Sequence, residues 1–91
     1  MPDLNGKVVF VTGASKGIGR AISEVFATNG ATVVCASRTV ADLEIVAHNI
    51  KENGGTAIVQ QLDVSNMKDF QNSVKKITNE LGSIDVLVNN A

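Results

Sequence analysis

Short runs of β-branched residues alternate along this 91-residue chain with longer stretches in which apolar residues recur every three or four positions. Val8-Val9-Phe10-Val11 is apolar throughout, as expected of a strand covered on both faces of a parallel sheet. Ile18, Ile22, Val25 and Phe26 follow at helical spacing, and Gly30 is placed to end that helix. Residues 32–36 form a second β-branched run. Thr39 is positioned to cap a helix with the stripe Val40, Leu43, Val46, Ala47 and Ile50, closed by Asn53-Gly54-Gly55. Residues 57–62 supply a third strand, made less apolar by Gln60 and Gln61, which suits a sheet edge. Ser65 is read as the cap of a third helix, in which Phe70, Val74, Ile77 and Leu81 share one face before Gly82 stops it. Residues 84–88 are the fourth strand.

This β-α-β-α-β-α-β order predicts an α/β fold with a parallel sheet. Parallel crossovers are right-handed, so two successive units wind to one side of the first strand before the direction reverses. The predicted strand order is 3-2-1-4. Its crevice is expected at the carboxyl ends of strands 1 and 4, where open α/β sheets bind ligands. The glycine-rich turn after strand 1 and Asn89-Asn90-Ala91 after strand 4 both arrive there.

Composition narrows the field without choosing a function. With 44% hydrophobic and 19% charged residues the chain has the makings of a core, and its length allows one domain. A net charge of -1 offers no basic field for nucleic acid or an acidic membrane. The start Met1-Pro2-Asp3-Leu4-Asn5-Gly6 lacks a secretory signal pattern, and no apolar run approaches the roughly 20 residues that span a bilayer. One cysteine and one histidine exclude an internal disulfide and leave no visible metal cluster. A cytoplasmic protein is the resulting expectation.

The candidate chemistry begins in Thr12-Gly13-Ala14-Ser15-Lys16-Gly17-Ile18-Gly19. A turn whose backbone approaches a pyrophosphate carries no Cβ at the contact positions, and the helix that follows offers unpaired N–H donors and a partial positive charge. Gly13, Gly17 and Gly19 meet that requirement with the spacing G-x-x-x-G-x-G. A plain glycine connector is the competing reading, and the position directly after the first strand favours the cofactor. The turn is not a P-loop, because no G-K-[ST] follows. At the end of strand 2, where an acidic residue would accept hydrogen bonds from an NAD ribose, the chain has Ser37-Arg38. Arg38 offers a planar fork suited to a phosphate, and Lys16 a second positive charge; ordinary solvated charges are the weaker alternative. His48 is read as a surface residue and Cys35 as a small mid-strand hydrophobe.

Thr12 to Gly19, Asp63-Val64 and Asn89-Asn90-Ala91, with the entry Leu4-Asn5-Gly6-Lys7, resemble the successive landmarks of the short-chain dehydrogenase/reductase family. The resemblance implies a Rossmann-like, doubly wound sheet that is truncated, with residues 1–91 as an NADP(H)-binding half-domain, incomplete at its C-terminal end. It implies that Gly13, Ser15, Lys16, Gly17, Ile18 and Gly19 wrap the cofactor pyrophosphate, and that Asp63 accepts from the adenine amino group while the Val64 N–H meets a ring nitrogen. Asn90 would reach the adenosine ribose through its backbone, and Asn89 would tie strand 4 to its neighbours. For Asp63 the alternative is help in capping the next helix; for the two asparagines it is sheet-end hydrogen bonding.

The family's catalytic serine, tyrosine and lysine follow the Asn-Asn-Ala landmark. This sequence has no tyrosine, so no catalytic residue is assigned. The expectation is the cofactor-binding part of an NADP(H)-dependent oxidoreductase that interconverts a carbonyl and an alcohol, NADP(H) being preferred over NAD(H). Its parent would take a small-molecule substrate and could form a homo-oligomer. A stand-alone nucleotide-binding or interaction module without catalysis is the alternative.

Overall fold

In a computed structural model, residues 3–90 are described, and Met1, Pro2 and Ala91 lie outside them. Seven elements follow in the predicted order: β1 (Val8–Thr12), α1 (Gly17–Thr28), β2 (Thr32–Ser37), α2 (Val40–Glu52), β3 (Thr56–Gln61), α3 (Met67–Leu81) and β4 (Val86–Val88). All strand pairs are parallel and the sheet order is β3-β2-β1-β4. Val8 pairs with Thr32 and Phe10 with Leu87, so β1 lies in the middle with a neighbour on each side.

The sheet separates two apolar layers. Because side chains alternate across a strand, Val9, Val11, Val33 and Cys35 face Ala27 of α1 and Leu43, Val46, Ala47 and Ile50 of α2. Val8, Phe10, Val34 and Ala36 face Ile77 of α3, with Phe70 and Leu81 packed alongside. Two helices cover one face and one covers the other, which is the doubly wound arrangement.

Four local expectations are corrected. The fourth strand begins at Val86 rather than at residue 84. There the Asp85 carboxylate accepts from the Val8 N–H at 2.8 Å while the Asp85 N–H donates to the Val8 carbonyl, so a side chain replaces one rung of the ladder. In α1, Ile18 and Val25 are exposed, and the face against the sheet is Gly19, Ser23 and Ala27, assisted by Ile22 and Phe26. Small residues four apart let this helix sit close to the sheet, which hydrophobicity alone does not signal. Ser23 is buried there because its hydroxyl donates to the Gly19 carbonyl at 2.8 Å. Asn66, not Ser65, caps α3, accepting from the Asp69 N–H at 3.0 Å. Thr39 occupies the capping position of α2, but its side chain makes no capping bond.

Candidate functional site

Three chain segments rise at the carboxyl end of the sheet. After β1 the backbone turns at Gly13, whose φ of 63° is a conformation glycine adopts without a Cβ penalty, and again at Gly17, with φ 54°. This delivers the start of α1 to the sheet's upper rim. The first N–H groups of a helix have no partner within it. In α1 no side chain caps them and no acid stands in the first turn, whereas α2 has Asp42 and α3 has Asn66 and Asp69. Gly19 is buried, and a Cβ on it would collide with the Gly13 carbonyl and come within 2.6 Å of the Asn90 amide. Helix start, turn and the end of β4 are therefore in mutual contact.

The segments after β1, β2 and β3 enclose a cavity of about 480 Å³, lined by Gly13, Ser15, Lys16, Ser37, Arg38, Thr39, Leu62, Asp63, Val64 and Ser65. Seven of the residues expected to form a site lie in this wall. Gly17, Ile18, Gly19 and Asn90 do not: the first three begin α1, and Asn90 donates to the Gly13 carbonyl at 3.4 Å on the far side of the turn. The hollow sits over β1, β2 and β3, and on the β4 side Asn90 meets the glycine turn. Val64, Met67, Phe70 and Asn89 border a separate space of about 160 Å³.

Charge in the cavity wall comes from Lys16 and Arg38 against the single carboxylate of Asp63. Neither cation belongs to the ion pairs of the described residues, Arg20 with Glu24 and His48 with Glu52. Asp63 Oδ1 accepts from the Ser65 hydroxyl at 2.6 Å and from the Ser65 N–H at 3.0 Å. Those bonds, with the nearby charge of Arg38, hold its carboxyl below the usual range, so it is ionised at neutral pH. Ser65 therefore serves Asp63 rather than the helix. The Asp63 N–H in turn donates to Asp69 Oδ2 at 2.8 Å, which anchors the loop to the first turn of α3.

At the other rim Thr12, fully buried, joins β1 to the end of β4. Its hydroxyl lies 3.3 Å from the Val88 carbonyl, 3.2 Å from Asn89 Oδ1 and 3.0 Å from the Asn90 N–H. Asn89 does tie β4 to its neighbour, and the Asn90 N–H is already engaged within the protein. Ala91 lies outside the described residues. Sequence reading missed Thr39, Leu62 and Ser65 in the wall and Asp69 behind it. Ser65 stands two residues after an aspartate and Asp69 three after the cap Asn66, spacings that signal local side-chain to backbone bonding.

Residues 7–91 match the family described as short chain dehydrogenase. The chain belongs to the short-chain dehydrogenase/reductase family. Among its relatives, an uncharacterized oxidoreductase of Mycobacterium tuberculosis is 43% identical over 91 residues, covering 97% of this chain and 27% of the relative. The 3-oxoacyl-[acyl-carrier-protein] reductase of Vibrio harveyi is 41% identical over 90 residues, covering 98% of this chain and 35% of that protein. A metagenomic short-chain oxidoreductase solved in complex with NADP superposes with a TM-score of 0.96 at 39% identity, covering 98% of this chain and 40% of the other. This member of the short-chain dehydrogenase/reductase family spans roughly a third of the length of these relatives. No helix among the described residues is long and apolar enough to cross a membrane.

Proposed function

We propose that the chain holds the adenosine end of NADP(H) as the N-terminal cofactor-binding part of an oxidoreductase that interconverts a carbonyl and an alcohol. The observation that carries this reading is the shared cavity wall: Lys16, Ser37 and Arg38 stand together there, with no carboxylate at the tip of β2. The residues fit the group. Gly13 and Gly17 carry positive φ, Ile18 is exposed, and no side chain caps the start of α1, where pyrophosphate oxygens would meet the N–H groups of Gly17, Ile18 and Gly19. Ser15 borders the same anion. Arg38 and Lys16 would take the 2′-phosphate through charge-assisted bonds, and Ser37 would add a hydroxyl. Asp63 and the Val64 N–H would receive the adenine edge, and Asn90 would stand beside the ribose. A bound nicotinamide cofactor supplies the hydride chemistry; this chain's residues orient its adenosine end and select the phosphate.

The relative solved with NADP, and the oxoacyl reductase among the relatives, support both the cofactor and the reaction class. The same reading extends to a small carbonyl or alcohol substrate, a cytoplasmic location and a homo-oligomeric parent, each supported by family membership.

Titration of the chain with NADPH and NADH tests the cofactor choice. The wild type should bind NADPH more tightly, and Arg38→Asp should lose about tenfold or more in NADPH affinity, as expected for a lost charged hydrogen bond, while NADH changes little. Equal losses for the two nucleotides contradict the assignment.

A further inference from the structure

The pair Gln60-Gln61 breaks the apolar pattern of β3, and an edge position alone leaves its purpose open. The parallel ladder between β2 and β3 ends with Ser37 opposite Gln61, and the Leu62 N–H adds a bond to the Ser37 carbonyl at 2.9 Å. One residue further, Arg38 has left the strand, and no backbone N–H among the described residues bonds its carbonyl. The Gln61 side chain does so instead, donating from Nε2 to the Arg38 carbonyl at 3.3 Å. Gln60 Nε2 in turn donates to the Gln61 carbonyl at 3.0 Å and lies 3.4 Å from the Ser73 hydroxyl, which is buried in α3. From the other direction Ser37 Oγ accepts from the Thr39 N–H at 3.3 Å. The turn that presents Arg38 to the cavity is thus fastened by β3 on one side and by its own serine on the other.

We propose that Gln61 is a positioning residue for cofactor selectivity: its amide extends the β2–β3 ladder onto the Arg38 carbonyl and keeps the Arg38 guanidinium registered with the 2′-phosphate. The proposal rests on the NADP(H) reading above. Gln61 is exposed and outside the cavity wall, so it acts through Arg38 and not by touching the nucleotide. Its effect belongs to the ligand with a 2′-phosphate alone.

Gln61→Met keeps the length and neutrality of the side chain and removes the donor. We compare wild type, Gln61→Met and Arg38→Asp by calorimetric titration with 2′,5′-ADP and with 5′-AMP, which share the adenosine and differ at the 2′ position. In Gln61→Met, affinity for 2′,5′-ADP should fall about threefold to tenfold, the worth of one modest hydrogen bond, while 5′-AMP binding stays within twofold of wild type. Retained 5′-AMP binding also shows that the variant is folded. A parallel fall for both ligands makes Gln61 merely structural and overturns the proposal, as does an unchanged ratio in Gln61→Met when Arg38→Asp collapses it. A wild type that binds neither ligand, or both equally, overturns the NADP(H) reading and this inference with it.

Discussion

Cys35 shows what burial does to a single group. It is fully buried in the middle of β2, and desolvation pushes its thiol from an ordinary value of 9.0 up to about 11, with the Ser23 hydroxyl offsetting part of the rise. A raised pKa in the folded state means that the thiol's contribution to stability is fully present below about pH 9 and is lost as pH rises towards about 11. Urea midpoints measured from pH 8 to pH 11 should therefore fall more steeply in the wild type than in Cys35→Ala, and a thiol reagent at pH 8 should label the chain only as it unfolds. Rapid labelling of the folded chain would contradict the burial. Asp63 is the opposite case: held low by Ser65, it contributes above the unfolded carboxylate range, and that contribution is lost as pH falls through its folded value. The burial of Cys35 was legible from its mid-strand position. The bond between Asp63 and Ser65 was not, because the same two residues also fit a helix cap.

Among the elements, α3 and α2 begin with different local chemistry although both have a capping residue type at their start. Asn66 bonds the Asp69 N–H, and Asp69 reaches back to the Asp63 N–H, so the entry to α3 and the cavity loop share one network. Thr39 makes no such bond. Asn66→Ala should cost about 1 kcal/mol in urea unfolding, and Thr39→Ala clearly less. Equal losses would show that capping-residue type, rather than the bond formed, governs these helix starts. Element order and strand order were legible because strand runs, helical stripes and glycine stops agree with one another. The face of α1 was not, since Gly19, Ser23 and Ala27 meet the sheet through closeness of approach rather than through apolar bulk. The short β4 was also hidden, because Asp85 completes the ladder with a carboxylate where the pattern reads continuous strand.

On the scale of the whole molecule, the sheet brings residues far apart in sequence to one rim. Lys16 from the first turn, Ser37 and Arg38 from the second and Asp63 from the third meet in one wall, and Asn90 touches the glycine turn from the other side. Residue types and parallel topology made that convergence legible. The exact lining of the hollow was not, since Thr39, Leu62 and Ser65 enter it from the loops that follow β2 and β3. The central claim is that this rim takes NADP(H) by its adenosine end. Amide spectra of the isotopically labelled chain, recorded with NADP⁺ and with NAD⁺, test it most directly. We expect the amides of residues 13–19 and 63–64 to shift with both nucleotides, and those of residues 37–39 to shift substantially more with NADP⁺. Shifts scattered away from these three segments, or identical at residues 37–39 for the two nucleotides, would contradict the account.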